Sequence, residues 1–198
     1  MTLPHDPLWP RAGDWPAPGD EPTDFALVGV PTHATSISAT AAHETPAAVR
    51  SALRYYSEHA ERETELSKAD WGDVVDPDGD RDAAIAFLAR VAAASRLLVA
   101  LGGDNSLTVP VALGVWGARV ASAGLVTLDA HHDIRDGRSN GSPVRELIGI
   151  PPVGVNPILV STLFPSFIAV MLAPFPKCAM ITRPSAFDGS ILRNSSTR

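Results

Sequence analysis

Short runs of apolar residues recur along the chain, and each run ends at a turn-forming or acidic residue. Two of them are DFALVGV (24–30) and RLLVALG (96–102), and the third opens the strand predicted over GLVTLDAHHD (124–133). Runs that are apolar nearly throughout are typical of strands buried on both faces of a sheet. WGDVVDPDGD (71–80) adds a possible short strand followed by a turn.

Between these runs, apolar positions recur at the spacing of a helix. In the segment 45–63, Thr45 suits an N-cap and Pro46 suits the first turn. Val49, Leu53 and Tyr56 would then share one face. The pattern therefore predicts a long helix after the first strand.

Three further helices are predicted downstream, at 80–95, 107–120 and 142–148. In the first of them, Ile85, Leu88 and Val91 fall on one face. Strands and helices that alternate in this way favour an α/β protein, a three-layer αβα arrangement with a parallel sheet. In such sheets, ligands bind beyond the carboxyl ends of the strands.

The chain divides into three parts by composition. Residues 1–23 are rich in proline and lack the apolar core of a signal peptide, so we expect an extended N-terminal arm. Residues 24–148 carry the strand and helix pattern. Residues 149–198 contain Asp188 as their one acid and seven prolines, which predicts an atypical or disordered tail.

The charge, the apolar content of the tail and the cysteine content each bear on which partners and which compartment the chain suits. The net charge of −6 in 198 residues argues against binding of nucleic acid or of an anionic membrane surface. The apolar run in the tail is too short and too interrupted for a transmembrane helix. Cys178 is the single cysteine, which fits a reducing cytoplasm.

Acids and histidines crowd the end of the third apolar run, in DAHHD (129–133). In an extended chain, Asp129, His131 and Asp133 would point one way and His132 the other. Two carboxylates and an imidazole suit Mn²⁺, Mg²⁺, Fe²⁺ or Zn²⁺. The alternative is a solvated acidic turn with incidental histidines.

The second apolar run leads into GGDNS (102–106). Gly102 and Gly103 permit a tight turn that brings the backbone close to a ligand. Asp104 could either orient a ligand or cap the helix that follows.

Taken in order, these segments resemble the ureohydrolase family of arginase, agmatinase and formimidoylglutamase. GGDNS matches the family's G-G-D-H-S, DAHHD matches D-A-H-x-D, and SNGSPV (139–144) matches x-H-G-x-P. TPAAVR (45–50) is similar to an early G-P-x-A-[IL]-R. The resemblance covers roughly residues 24–148 and implies the arginase-like form of the αβα fold.

The resemblance also implies a cofactor and its ligands. Family members hold two Mn²⁺ ions that activate water for attack on a guanidinium or formimidoyl carbon. Asp129 would bridge the two ions, His131 would bind one of them, and Asp133 would bind the other.

Two positions depart from the family pattern. Asn105 replaces a metal-ligating histidine, and its amide oxygen would be a weaker ligand. Asn140 replaces an active-site histidine and cannot act as a general acid or base, which leaves it a contact to the substrate. These substitutions are similar to those of an actinobacterial formimidoylglutamase-like branch.

Arg135 is the second candidate for substrate binding, because a guanidinium could pair with a substrate carboxylate. Formimidoylglutamate carries two carboxylates, whereas agmatine carries none. A solvent-facing arginine is the alternative.

The family's later S-x-D-x-D-x-x-D-P motif has no counterpart, since residues 149–198 contain no D-x-D. We therefore expect a truncated chain whose tail is read from a shifted frame or an unspliced segment; a genuine short variant is the rival. The sequence predicts a metal-dependent amidine hydrolase acting on the small molecule N-formimidoyl-L-glutamate, as a homo-oligomer if it assembles. The alternatives are an agmatinase or arginase, and a non-catalytic remnant or binding subunit.

Overall fold

The first apolar run forms the central strand of a parallel sheet. The computed structural model describes residues 11–57, 66–129, 131–149 and 156–161. Strand β1 (Thr23–Val30) is hydrogen-bonded to β2 (Lys68–Asp73) along one edge and to β3 (Ser95–Gly102) along the other. Its residues 26–30 are all buried, as expected for a strand covered on both faces.

The order of the strands determines where the helices lie. The chain passes from β1 to β2 through α1 (Thr45–Leu53) and from β2 back across β1 to β3 through α2 (Arg81–Ala93). These crossovers run in opposite directions, so two right-handed connections put α1 and α2 on opposite faces of the sheet. The three-layer arrangement expected from the sequence is confirmed.

A second pair of parallel strands continues the fold. α3 (Thr108–Trp116) packs on α2 and leads to β4 (Gly124–Asp129), which pairs in parallel with β5 (Asn156–Ser161). α4 (Pro143–Ile148) lies between β4 and β5 along the chain. Leu125 of β4 is buried in the same apolar core as β1 and β3, so both sheets share one core.

Helix α2 follows the predicted pattern closely, whereas α3 ends at Trp116, four residues before the end of its predicted helix, and a 3₁₀ segment, Gly117–Ser122, follows it. The Asp80 side chain accepts a hydrogen bond from the Ala83 amide at 3.0 Å and so caps α2. Leu88 and Val91 are fully buried, and Ile85 beside them is half-buried. The packing face of α2 is therefore the one that the sequence indicates.

The prediction for α1 was wrong at both ends. A 3₁₀ turn, Ala42–Glu44, precedes it, so Thr45 is its first residue and makes no side-chain cap. The helix ends at Leu53, where the amides of Tyr55 and Tyr56 bond three residues back in a tight turn. Tyr56 is consequently exposed instead of lying on the apolar face; residues 58–63 of the predicted helix lie outside the described ranges.

The two flanking segments are described in part. Within the arm, the Pro16 carbonyl accepts a hydrogen bond from the Asp70 amide, which ties residues 11–22 to β2. Within the segment predicted as an atypical or disordered tail, residues 156–161 form the strand β5. Residues 1–10, 150–155 and 162–198 are outside the described part of the chain, and so the expectations for them stay untested.

No helix in the described ranges is both long and apolar enough to cross a bilayer.

Candidate metal centre

A cleft of about 1100 Å³ opens where β3 and β4 end. Its lining also includes the loop after β1, as the carboxyl edge of a parallel sheet requires. All six residues that the sequence nominates for metal or substrate line this cleft: Asn105, Asp129, His131, Asp133, Arg135 and Asn140.

Asp129 and His131 form the outer part of the site. Asp129 is the last residue of β4, and its side chain is 17% exposed. Its Oδ1 accepts a hydrogen bond from the His131 amide at 2.9 Å, and His131 Nδ1 lies 3.2 Å from the same oxygen. The imidazole itself is 83% exposed, so it stands beside the carboxylate and faces solvent.

Asp133 is buried and held on three sides. It adopts a left-handed backbone conformation (φ 52°), which aspartate tolerates better than most residues. Its carbonyl accepts hydrogen bonds from the Val144 and Arg145 amides at the start of α4. Its Oδ2 accepts one from Asn105 Nδ2 at 2.7 Å. These contacts fix the direction of the carboxylate.

The left-handed turn corrects one expectation from the sequence. Extended backbone would have directed His132 away from Asp129 and Asp133. The strand ends at Asp129, however, and the turn at Asp133 breaks the alternation, so His132 also lines the cleft. A period of two holds only while the chain remains a strand.

Asn105 is engaged through both ends of its side chain. While Nδ2 donates to Asp133, Oδ1 accepts a hydrogen bond from the Thr108 hydroxyl at 2.8 Å. Asn105 is 8% exposed, so these bonds form away from water. In this arrangement the amide orients the Asp133 carboxylate.

The charges in the cleft are unbalanced. Burial, and next the nearby Asp129 carboxylate, raise the pKa of Asp133 above its ordinary value. Within the described ranges, neither Asp129 nor Asp133 is paired with a lysine or arginine. Two carboxylates that share a cleft without a basic partner suit a cation.

The donor atoms fit a hard divalent ion in type but are incompletely converged. Carboxylate, imidazole and amide ligands are those that Mn²⁺ accepts. Nevertheless, in the part of the chain that the structure describes, no three histidine, cysteine or acidic side chains are grouped closely enough to hold a metal ion. The His131 ring lies beside Asp129 and is largely exposed to solvent.

The GGD turn forms the rear wall of the cleft. The Gly103 amide donates to the Val30 carbonyl at 3.0 Å, and a Cβ on Gly103 would lie 1.9 Å from the Thr32 carbonyl oxygen. Glycine is therefore required for this contact between backbones. Asp104, whose role the sequence left open, accepts a hydrogen bond from the Ser106 amide and so caps the following turn.

Sequence reasoning missed the contribution of the loop after β1. The Ser36 hydroxyl donates to Asp104 Oδ2, and Ile37 lines the cleft with 56% of its surface exposed. Ile134, on the opposite loop, is 50% exposed. The position of Ser36 and Ile37 just beyond the end of β1 was the signal available for them.

Two histidines of that loop form a separate cluster. The rings of His33 and His43 are 4.5 Å apart, and His33 Nδ1 lies 3.3 Å from Asp78 Oδ2. Neither histidine lines the cleft.

Comparisons with known proteins agree with this architecture. A formimidoylglutamase from Halobacterium salinarum is 32% identical over 172 aligned residues, which cover 77% of this chain and 55% of that protein. The crystal structure of formimidoylglutamase from Bacillus subtilis superposes with a TM-score of 0.63 at 23% identity, covering 74% of this chain and 50% of that one. The formiminoglutamase of Trypanosoma cruzi, crystallised with Mn²⁺, gives 0.62 at 22% identity, covering 72% and 54%.

The chain spans about half the length of the curated relatives that it matches. The Arginase family model matches residues 23–158, the range that contains β1 to β4, the first half of β5 and the residues that line the cleft. On this evidence, the chain belongs to the arginase family.

Proposed function

We propose that this chain carries the cleft of a metal-dependent amidine hydrolase whose substrate is N-formimidoyl-L-glutamate. Water would cleave the C–N bond between the formimidoyl carbon and the glutamate nitrogen, giving formamide and L-glutamate. The observation that carries the proposal is the pair Asp129 and Asp133 at the carboxyl edge of an arginase-family sheet, two shielded carboxylates that have no basic partner among the described residues.

Mn²⁺ is the proposed cofactor, because a relative in fold was crystallised with it and the donor types suit it. Asp129, His131 and Asp133 would hold it. Asn105 remains a proposed ligand as well, since a carboxamide oxygen has two lone pairs and could bind an ion while accepting from Thr108. Bound Mn²⁺ would lower the pKa of water for attack on the amidine carbon.

The residues of the chain would orient the metal ligands and the substrate. Asn105 holds the Asp133 carboxylate in one direction, which favours a fixed site over a mobile one. His131 Nδ1 lies 3.2 Å from Asp129 Oδ1, a contact that orients the ring beside that carboxylate. Asn140 can supply no proton, and its contribution is geometric.

Arg135 supports the choice of an acidic substrate. It lines the cleft, and in the described part of the chain its guanidinium forms no ion pair. A guanidinium without a partner can pair bidentately with a carboxylate of formimidoylglutamate. Agmatine, which has no carboxylate, would gain nothing from it.

The test is a product assay on the full chain with Mn²⁺. N-formimidoyl-L-glutamate, arginine and agmatine are supplied in parallel, and formamide and urea are measured. We expect formamide from the first and no urea from the others. Urea release from agmatine without formamide release would favour the agmatinase alternative and contradict our assignment.

A variant of Arg135 sharpens this assay. Arg135→Met should raise KM for formimidoylglutamate by about 10- to 100-fold, since a charge-assisted hydrogen bond contributes roughly 1.5–3 kcal/mol. The matched control is Arg138→Met, because Arg138 is exposed three residues away and does not line the cleft. Equal effects of the two changes would remove the argument for an acidic substrate.

A non-catalytic role is the second candidate, and the incomplete convergence of ligands in the described residues favours it. It predicts that the chain binds Mn²⁺ without hydrolysing any amidine. Turnover by the purified chain would exclude it.

We also infer a cytoplasmic location from the single cysteine, and self-assembly through symmetric contacts is the proposed quaternary state. Cell fractionation and analytical ultracentrifugation test these two inferences. Recovery in an extracytoplasmic fraction, or a monomer at all concentrations, would contradict them.

A further inference from the structure

Residues 35–37, which we call the strap, connect the loop after β1 to two other sides of the cleft. The Ser36 hydroxyl donates to Asp104 on the GGD turn. On the opposite side, the Ile37 amide donates to Asn140 Oδ1 at 3.2 Å, and the Asn140 amide donates to the Thr35 carbonyl at 3.1 Å. The strap is thus held from both flanks.

The contact with Asn140 is reciprocal and specific. The Asn140 backbone bonds to Thr35 of the strap, and the Asn140 side chain bonds to Ile37. The two bonds reach strap residues two positions apart, as bonds between adjacent strands do. Among the described residues, the Asn140 side-chain oxygen is the one acceptor for the Ile37 amide. Loss of that oxygen would therefore release Ile37 and leave the fold of the sheet untouched.

The strap and Arg135 meet at Gly141. A Cβ placed on Gly141 would lie 2.9 Å from Arg135 Cδ and 3.3 Å from Ile37 Cδ1. Both side chains thus lie against this glycine, and the Arg135 amide also donates to the Gly141 carbonyl at 3.0 Å. The position of the strap consequently sets the spacing between the apolar Ile37 and the cationic Arg135.

We propose that Asn140 is a positioning residue that fixes the strap, and through it the spacing between Ile37 and Arg135 that admits the carbon chain of the substrate. The substrate part of this inference rests on the proposed function. The attachment of the strap does not, and it can be measured without metal or activity.

The first experiment measures amide hydrogen exchange of Ile37 by NMR on the full metal-free chain. Asn140→Ala should lower the protection of that amide by about tenfold, the size expected for loss of one hydrogen bond. Asn140→Asp keeps an acceptor oxygen and should restore protection. The control is Thr40→Ala, which removes a hydrogen bond within the same loop, from the Ala42 amide, and should leave Ile37 unchanged.

Unchanged protection of Ile37 in Asn140→Ala would overturn the proposal. So would a loss of protection spread evenly over β1 and β3, since that indicates general destabilisation. If Asn140→Ala does not fold, the protection of the Ile37 amide is measured in Asn140→Asp and Gly141→Ala instead. Both should retain protection of the Ile37 amide, and its loss in Asn140→Asp would contradict the role of the side-chain oxygen.

The second experiment compares a long and a short substrate with added Mn²⁺. Asn140→Ala and Gly141→Ala should each raise KM for formimidoylglutamate by about tenfold and lower kcat/KM for formamidine, which has no carbon chain, by a much smaller factor. Equal losses for both substrates would refute positioning. If the unaltered chain turns over neither substrate, the proposed function fails, and the exchange measurement still decides the attachment of the strap.

Discussion

Two pairs of aspartates lie at the ends of parallel strands in this molecule, and they are treated differently. Asp70 and Asp73, at the end of β2, share Arg50 of α1: Nε and one terminal nitrogen bind Asp70 at 2.7 and 2.9 Å, and the other binds Asp73 at 2.5 Å. Asp129 and Asp133, beyond the end of β4, share a cleft and have no basic partner in the described ranges.

The two pairs differ in how their negative charge is compensated. Hydrogen bonds from Arg50 to Asp70 raise the pKa of the guanidinium, the expected mark of a satisfied ion pair. In the cleft, by contrast, burial and the neighbouring Asp129 carboxylate raise the pKa of Asp133, the expected mark of an uncompensated acid. One pair shares an arginine of the fold, and the other has no such partner among the described residues, as the proposed metal site requires.

The largest expected effect comes from removing the charge of Asp133. Mn²⁺ at 100 times its Kd should stabilise the unaltered chain by about 2.7 kcal/mol, and Asp133→Asn should abolish that gain. The amide can still accept from Asn105 and tolerates a left-handed backbone, so the metal-free fold should persist. Thermal unfolding with and without Mn²⁺ measures the difference.

The matched control is Asp136→Asn, three residues along the same loop. Its carboxylate is 89% exposed and pairs with Arg145 outside the cleft. It should retain the full stabilisation by Mn²⁺. A gain of equal size in Asp133→Asn would show that the cleft carboxylate does not hold the ion.

The next largest effect is expected from removing the arginine that Asp70 and Asp73 share. Arg50→Met leaves Asp70 and Asp73 without a cation and should lower the free energy of unfolding by about 2 kcal/mol, less than for a fully buried pair because Asp73 is 43% exposed. Urea unfolding of the metal-free chain measures it.

Arg96→Met provides the comparison, since the Arg96 side chain is 80% exposed and bonds to Asp24 at the surface. Its cost should be much smaller. If both substitutions cost the same, Arg50 is an ordinary surface charge, and the contrast between the two aspartate pairs fails.

Much of the sheet could be predicted because its strands are buried on both faces. β1 and β3 were located within a residue or two, since continuous apolar runs have few alternative structures. β4 begins where predicted but ends at Asp129, four residues before the end of the predicted strand. The end of α1 was not predictable from periodicity, because Tyr56 continues the helical pattern beyond the point where the helix stops. β5 was not predicted, and the proline at its second position is uncommon inside strands because it has no amide hydrogen to donate.

In the site, the residues that line the cleft could be predicted from the sequence, but the contacts between them could not. DAHHD and GGDNS placed the nominated ligands in one cleft because parallel strands end at one edge. The bond between Ile37 and Asn140 joins residues 103 positions apart, and no local pattern encodes it. The turn at Asp133 likewise depends on α4, whose amides bond to its carbonyl.

The smallest effect is a difference in pH dependence between two aspartates of opposite environment. The hydrogen bond from Arg96 lowers the pKa of Asp24 below 3.8, whereas burial raises that of Asp133 above 3.8. Asp24 therefore adds stability above its unfolded pKa, and this contribution is lost as the pH falls through its folded value. For Asp133 the contribution is present below the unfolded pKa and is lost as the pH rises through the folded one.

These signs predict that, with a chelator present to remove metal ions, the stability difference between variant and unaltered chain changes with pH in opposite directions for the two aspartates. Relative to the unaltered chain, Asp24→Asn should match it in acid and become less stable towards neutral pH, because the bond from Arg96 then has no ionised partner. Asp133→Asn should gain on it over the same interval, since the variant never buries a charge beside Asp129. Urea midpoints across the interval measure both slopes, and parallel slopes would mean that the cleft carboxylate is as well compensated as the paired one.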